Sequence, residues 1–172
     1  MLRPHAAALA CSTLAACTTL AACSHTTTVG PFEVEAPRGW LLERDDSGTV
    51  LAGTKHAEWT YLLLAFTKAD IEGDDSPEAV GKEVARELAA PAEDDEVDVQ
   101  FGSPTMWANS IGMVGLRMGG SMSKDDLTVE LDLLLVFSED DYLVVFGYRS
   151  PDATAKHDQA REDLLDSLRR AG

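Results

Sequence analysis

The stretch LTVELDLLLVFSEDDYLVVFGY, residues 127–148, decides the fold class of this chain. Its first arm, 127–137, begins by alternating apolar and polar side chains and becomes apolar at both parities from Leu134. Its second arm, 142–148, is mostly apolar, and Glu139-Asp140 between the arms favours a turn. The pattern predicts a long antiparallel hairpin. We expect one end of this hairpin to be covered on both faces and the other end on one face.

Shorter stretches on both sides of the hairpin also have the pattern of strands. Residues 59–67 are apolar at both parities, which is typical of a strand that is buried on both faces. Gly119 and Gly120, just before the hairpin, predict a bulge or a sharp bend. The other predicted strands are Phe32–Glu35, Trp40–Leu42, Thr49–Ala52, Val97–Phe101, Met106–Trp107 and Ile111–Met118.

Two segments begin with Ser-Pro followed by an acid, which is typical of a helix start. The first predicts a helix over about 77–90 that stops at Pro91. The second starts at Ser150-Pro151-Asp152, has an apolar stripe over 153–168, and places Arg169-Arg170 in its last turn. Together these elements predict an α+β layered sandwich, a mainly antiparallel sheet flanked by two helices.

The N-terminal segment has the composition of an export signal. A positive charge at Arg3 precedes an uncharged run, 6–22, that is rich in Ala and Leu and ends in small residues. Leu20-Ala21-Ala22-Cys23 resembles the bacterial lipobox, in which a peptidase cuts before the Cys and the thiol receives diacylglycerol. We therefore predict lipidation of Cys23. Cys17 follows the same three letters and is the alternative site; an ordinary signal and a chance Ala-rich helix are further alternatives.

Cleavage before Cys23 would divide the chain into three parts: a signal peptide at 1–22, the lipidated Cys with a short tether at 23–30, and one domain at 31–172. All three Cys residues lie at or before position 23. The exported domain therefore has no disulfide framework, and its core alone must hold it folded. We expect the protein at the outer face of the plasma membrane, or at the outer membrane if its host has one.

The chain is strongly acidic. It carries 14 Lys+Arg and 30 Asp+Glu, a net charge of −16, and the loss of Arg3 with the signal leaves −17. Nucleic-acid binding needs a basic surface, so this function class is excluded. Anionic lipid would also repel the domain, so contact with the membrane is expected through the lipid anchor. Solubility, a salty medium and attraction of a cationic partner are three explanations of the charge that remain open.

Three short segments carry a resemblance to a known family: the lipobox ending at Cys23, the turn Pro37-Arg38-Gly39-Trp40 after the first strand, and Gly119-Gly120-Ser121-Met122-Ser123-Lys124 leading into the hairpin. The order of elements over 31–170 resembles the PsbP-like fold of photosystem II extrinsic proteins and of many bacterial lipoproteins. More closely, it resembles the LpqN-type lipoproteins of actinobacteria, although the long Ser/Thr/Pro-rich tether of some relatives is missing here. The resemblance implies an envelope lipoprotein and supplies no catalytic residues.

The sequence of the exported chain contains no motif for catalysis, metal binding or a cofactor. Its His residues, 25, 56 and 157, lack the spacing of zinc ligands, and its acidic pairs lack the twelve-residue calcium loop. Residues 119–123 lack the final Gly of a hydrolase elbow and precede a strand. We predict no catalytic residue, no metal and no cofactor.

Four methionines and a tryptophan lie close together in the sequence and predict an apolar groove between the sheet and a helix. Methionine lines surfaces that accept varied ligands, and it also fills irregular cores, which is the alternative. These candidate residues are Met106, Trp107, Met113, Met118 and Met122. The predicted function is a non-catalytic interaction or scaffold module for an unknown envelope protein. The alternative function is a carrier or sensor of an apolar, lipid-like ligand.

Overall fold

The computed structural model describes residues 26–54, 58–93 and 97–172, and the side chains of 91–93 are not among them. Cys23, Cys17, His25 and His56 lie outside the described residues. Within the described ranges, no helix is long and apolar enough to cross a membrane.

An antiparallel sheet of eight strands forms the centre of the domain, with a second sheet of three strands beside it. The large sheet has the order β3-β4-β5-β10-β9-β8-β6, with β7 also paired to β8, and the small sheet has the order β1-β2-β11. The element bounds are β1 Thr26–Val29, β2 Phe32–Glu35, β3 Trp40–Arg44, β4 Val50–Thr54, β5 Trp59–Thr67, α1 Pro77–Glu93, β6 Asp98–Phe101, β7 Thr105–Ala108, β8 Val114–Lys124, β9 Leu127–Phe137, β10 Asp141–Arg149, α2 Ala155–Asp166 and β11 Arg169–Arg170.

The predicted hairpin is confirmed as β9 and β10, which pair from Tyr142 opposite Phe137 to Arg149 opposite Glu130. β10 then pairs along its whole length with β5, so these three strands form the middle of the sheet. Leu133, Leu134 and Leu135 of β9 are all buried, as expected for a strand that is covered on both faces. The α+β class and the mainly antiparallel sheet are thereby confirmed.

Each face of the large sheet has its own apolar cluster, and we name the faces after the helices that cover them. On the α1 face, Val80 and Val84 pack against Met118, Leu133 and Leu135. The α2 face has the larger cluster, in which α2 and the small sheet cover β3, β4, β5, β9 and β10. Its buried members include Phe32, Val34, Trp40, Trp59, Tyr61, Leu63, Leu134, Leu143, Leu164, Leu165 and Leu168. Two separate clusters follow from the strand period of two, which sends neighbouring side chains to opposite faces.

Two segments predicted as tether and helix end are strands of the small sheet. Thr26–Val29, placed in the tether by the sequence, pairs with β2 as β1, because β-branched residues suit a half-buried strand. Arg169–Arg170, placed in the last turn of the second helix, pairs with β2 as β11. The Arg169 Nε donates to the Glu33 carboxylate at 2.9 Å, which fixes the register of this short strand.

The helix boundaries also differ from the prediction. α1 continues past Pro91 to Glu93; a proline so near a helix end removes only one backbone hydrogen bond. α2 starts after Thr154 rather than at Pro151, because Ser150 to Ala153 form a separate turn. The Thr154 backbone N–H donates to the His157 Nδ1 at 3.1 Å, so this histidine caps the helix.

The predicted bulge at Gly119 and Gly120 is absent, because β8 keeps one continuous register with β9 from Val114 to Lys124. Gly120 is required for a different reason: a Cβ there would lie 2.5 Å from the carbonyl oxygen of Gln100. The missing side chain lets β6 approach β8 closely.

Leu133→Ala should destabilise the domain by about 2–5 kcal/mol, because it leaves a cavity in the centre of the α1-face cluster. Leu127→Ala is a matched control on the same face of the same strand, and its exposed side chain should contribute less than about 0.5 kcal/mol. Urea unfolding of both variants measures the difference. Equal losses in the two variants would contradict the described packing.

Candidate functional site

The α1 face carries an exposed group of leucines over β3, β4 and β5. We call Leu41, Leu51, Leu62 and Leu64 the leucine face. Leu41 is 55% exposed, Leu51 46% and Leu64 36%, and Leu62 is half-buried. Leu51 lies directly opposite Leu62 in the pairing of β4 with β5, and Leu41, opposite Gly53, lies diagonal to Leu51 across the β3–β4 pair. A contiguous apolar surface of this kind marks a site of interaction more often than scattered single residues do.

The leucine face is open because α1 lies over the other half of the sheet. The contacts of α1 are with β6, β8 and β9, and its cluster extends to Tyr142 and Val144 of β10. On the opposite face, the small sheet and α2 bury the alternate residues of the same strands, among them Val50, Ala52 and Leu63. The strands of the leucine face are therefore buried on one side and open on the other.

β3 is an edge strand of the large sheet, and among the described residues its only strand partner is β4. The Asp45 N–H donates to the Thr49 carbonyl across the β3–β4 turn. The alternation of an antiparallel ladder then directs the backbone groups of Leu42 and Arg44 away from β4. An edge with outward-directed N–H and C=O groups can accept a further strand.

Acidic residues accompany the leucine face. Glu43 lies opposite Leu51 in the β3–β4 pair and is exposed. Asp45 and Asp46 follow in the turn at the end of β3 and are also exposed. The Ser47 hydroxyl, with the Ser47, Gly48 and Thr49 amides, holds the pKa of Asp45 below its ordinary value, so this carboxylate is charged at neutral pH.

The α2 face carries a polar cluster in the middle of its apolar surroundings. The buried carboxylate of Asp132 accepts two hydrogen bonds from Arg117, from Nε and Nη2, both at 2.8 Å. The Tyr61 hydroxyl donates to the same carboxylate at 3.0 Å. The Glu162 carboxylate on α2 accepts from the other side of the Arg117 guanidinium, at 3.3 Å from both Nη atoms. These contacts bind α2 to β5, β8 and β9.

The polar cluster shifts the pKa values of Tyr61 and Arg117. Burial, followed by the adjacent Asp132 charge, raises the pKa of Tyr61 well above its ordinary value, so the phenol stays protonated. Burial lowers the pKa of Arg117, but its hydrogen bonds with Asp132 and Glu162 outweigh that effect and raise it. Arg117 consequently stays charged at physiological pH.

A second group of charged side chains connects the start of α2 to β5 and β10. Asp158 accepts from Arg149 Nε at 2.9 Å and from Trp59 Nε1 at 3.1 Å. The hydrogen bond from Arg149 is the main reason that the pKa of Asp158 is lowered. The guanidinium of Arg161 lies 4.8 Å from the centre of the Trp59 ring and donates to Glu162. Spacings of three and four residues place these α2 side chains on one face of the helix.

The five residues of the predicted groove lie on both faces of the sheet. Trp107 and Met113 pack against the α2-face cluster, whereas Met118 is buried in the α1-face cluster. Met106 pairs with Leu116 and is exposed on the α1 face, and Met122 is half-buried. The sheet therefore separates Trp107 and Met113 from Met118, and these five residues do not line one common surface.

Sequence reasoning missed the polar cluster and the leucine face. The sequence does show that Arg117 interrupts an apolar run. It also shows that Glu130 and Asp132 share one face of a predicted strand. What joins Arg117 to Asp132 is the pairing of β8 with β9, which sequence patterns do not give. The exposure of Leu41 and Leu51 depends on where α1 lies, which is equally a tertiary property.

Solved structures of other proteins share this arrangement of strands and helices. The solution structure of cyanobacterial PsbP (CyanoP) from Synechocystis sp. PCC 6803 matches with a TM-score of 0.61 and 9% identity, covering 92% of this chain and 99% of that one. The fold is PsbP-like. The crystal structure of LpqN, which is involved in cell envelope biogenesis of Mycobacterium tuberculosis, shares the fold with a TM-score of 0.53 and 16% identity, covering 82% and 83%.

A crystal structure from Bacteroides thetaiotaomicron VPI-5482 also matches, with a TM-score of 0.52 and 12% identity; the match covers 84% of this chain and 47% of that one. No protein-family model and no curated protein sequence matches the chain. Identities this low establish the fold alone. The resemblance expected from the sequence is thereby confirmed at the level of the PsbP-like fold, with LpqN among the proteins that share it.

Asp132→Ala should cost about 3–5 kcal/mol, because it leaves the partly buried guanidinium of Arg117 without its main partner. Glu130→Ala is the matched control two residues earlier on the same face, where the carboxylate is exposed and about 0–1 kcal/mol is expected. Chemical unfolding followed by tryptophan fluorescence measures both. If Asp132→Ala were as mild as Glu130→Ala, the polar cluster would not hold α2 in place.

Proposed function

We propose that this protein is an envelope lipoprotein, anchored through Cys23, whose domain binds another protein through the leucine face without catalysis. The observation that carries the proposal is that α1 covers only part of the α1 face of the sheet. Leu41 and Leu51 are exposed on strands whose opposite side contributes Trp40, Val50 and Ala52 to the α2-face cluster, so the domain is folded and yet leaves an apolar surface in water. Covering that surface with a partner would be favourable by the hydrophobic effect.

Charge favours a protein partner over a lipid surface at this site. Glu43, Asp45 and Asp46 lie in and beside the leucine face, and the exported chain has a net charge of −17. Anionic lipid head groups would be repelled. A protein surface with an apolar centre and basic residues at its rim complements both the leucines and the acids.

The edge of β3 suggests how such a partner binds. A segment of the partner that adds as a strand beside β3 would pair with the outward backbone groups of Leu42 and Arg44. Its alternate side chains would then extend the leucine face beyond Leu41. Backbone pairing would supply affinity, and the apolar contacts would supply selectivity.

The N-terminal sequence supports anchoring at the envelope. The lipobox-like LAAC ends at Cys23, and the first strand already begins at Thr26. A lipid on Cys23 would be separated from the domain by Ser24 and His25 alone, a reach of about 7 Å at roughly 3.5 Å per residue. The domain would therefore work directly at the membrane. The involvement of LpqN in cell envelope biogenesis agrees with this location.

The alternative function, a carrier or sensor of an apolar ligand, needs an apolar site, which the five groove residues would supply if they lined one surface. Because these five residues lie on two faces of the sheet, no shared groove supports the alternative function. The leucine face offers an open surface rather than an enclosed site, which suits a protein partner better than a small ligand.

Cys23→Ala should abolish lipidation and release the protein from the membrane fraction or leave uncleaved precursor, because no other thiol follows the cleavage site. Cys17→Ala is the control and should leave lipidation unchanged. Metabolic labelling with a fatty-acid analogue, followed by mass spectrometry of the N-terminal peptide, measures both. Loss of labelling in Cys17→Ala alone would move the anchor to the alternative site.

A photo-crosslinking amino acid at position 51 should give one discrete protein adduct in the native host, whereas the same probe at the exposed Lys156 on α2 should not. Adding Leu41→Lys should remove the adduct, because it would place a charge against the apolar centre of the partner. Circular dichroism verifies that Leu41→Lys folds.

Three results would contradict the proposed docking. The first is equal adducts from positions 51 and 156, and the second is an adduct unaffected by Leu41→Lys. The third is crosslinking to phospholipid alone, which would assign the leucine face to the membrane surface.

A further inference from the structure

A cavity of about 350 Å³ opens on the α2 face, on the opposite side of the sheet from the leucine face. Such a volume lies within the usual range of small-molecule sites. Polar and charged residues supply much of its wall. The lining residues are Trp59, Ser103, Thr105, Arg117, Gly119, Gly120, Glu130, Leu131, Asp132 and Arg161.

Gly119 forms part of the wall, and nothing in the structure of the sheet requires a glycine there. A Cβ added at Gly119 would meet no atom within 4 Å, and its φ angle lies outside the left-handed region. The other glycines within strands are different, because a Cβ would meet a neighbour within 3.1 Å. These contacts are Gly53 with Trp59 O, Gly115 with Leu135 O, Gly120 with Gln100 O and Gly147 with the Tyr61 ring.

A glycine in the interior of a strand normally weakens it, because it has no side chain to pack and loses more backbone entropy on folding. At Gly119 this cost is not offset by a close contact. What the glycine does provide is open space beside Asp132, its partner across the β8–β9 pair. The space itself is therefore the feature to be explained.

The lining of the space carries charges of both signs, with Arg117 and Arg161 against Glu130 and Asp132, and Glu162 adds a carboxylate that contacts both arginines. Arg117 and Asp132 satisfy each other through two hydrogen bonds. Two groups of opposite sign then retain capacity for a ligand. The Glu130 side chain is 69% exposed with its nearest cation, Arg149 Nε, at 3.8 Å. Arg161 lies in the wall of the cavity and donates from Nη2 to Glu162. Its Nε is buried without a partner among the described residues, and its Nη1 makes none of the described hydrogen bonds.

We propose that this cavity binds a small zwitterion that carries both an ammonium and a carboxylate, such as a free amino acid or a short unblocked peptide. The carboxylate is received on the side of Arg161, with the hydroxyls of Ser103 and Thr105 nearby. The ammonium is received by Glu130. Gly119 keeps the space open between them. The site is independent of the leucine face and of lipidation.

The unblocked dipeptide Ala-Ala tests the proposal, with N-acetyl-Ala-Ala and Ala-Ala-amide as matched probes that each lack one charge. The readout is the indole N–H resonance of Trp59, which donates to Asp158, lies beneath Arg161 and is assigned with Trp59→Phe. Ala-Ala should shift this resonance saturably. Each blocked probe should bind at least about tenfold more weakly, since one charged group of the site then stays unpaired.

Two variants separate binding from folding. Gly119→Leu should keep the midpoint of thermal unfolding unchanged or raised and should abolish the Ala-Ala shift, because its side chain fills the space. Glu130→Gln retains the shape of an exposed side chain and should weaken Ala-Ala while leaving the weak binding of N-acetyl-Ala-Ala unchanged. Absence of a saturable shift, equal binding of a blocked probe, or unimpaired binding in Glu130→Gln would overturn the proposal.

Discussion

The buried carboxylate of Asp132 is the constraint on which the arrangement of the α2 face depends. A carboxylate in an apolar interior is costly unless it is paired and hydrogen-bonded. Arg117 supplies two hydrogen bonds and Tyr61 supplies a third. The Tyr61 ring reaches Asp132 only because Gly147 lies beneath it, where a Cβ would come within 2.4 Å of the ring. Glu162 then receives the far side of Arg117, which fixes the position of α2.

With α2 and the small sheet fixed on one face, α1 is the one helix among the described residues that covers the other face. α1 is long enough for β6, β8, β9 and part of β10, and the leucines of β3, β4 and β5 stay exposed. The two faces therefore differ in their chemistry as well as in the elements that cover them. The leucine face is apolar with acidic neighbours, which suits a protein partner, whereas the cavity by Gly119 is lined by charges of both signs, which suits a small polar molecule.

The sequence predicted the central sheet well because its signals are local. The parity of 127–137 and the Ser-Pro-acid helix starts gave the hairpin and both helices, although α2 begins only after Thr154. β1 forms a local hairpin with β2, but it was missed because its run of threonines has the composition of a polar tether. β11 was missed because it pairs with β2, and Arg169 lies 136 positions after its partner Glu33. The Arg117–Asp132–Tyr61 contacts were missed for the same reason: they join residues 15 and 71 positions apart.

The central claim is that the folded domain leaves the leucine face open to solvent while the same strands are packed on the other side. Hydroxyl-radical footprinting of the purified protein in detergent-free buffer, read by mass spectrometry residue by residue, tests it directly. The account predicts rapid modification of Leu41 and Leu51 and strong protection of Leu63 and Leu134, at every protein concentration. Protection of Leu41 and Leu51 equal to that of Leu63 in the dilute protein would show that the chain itself covers the leucine face, and would contradict the account.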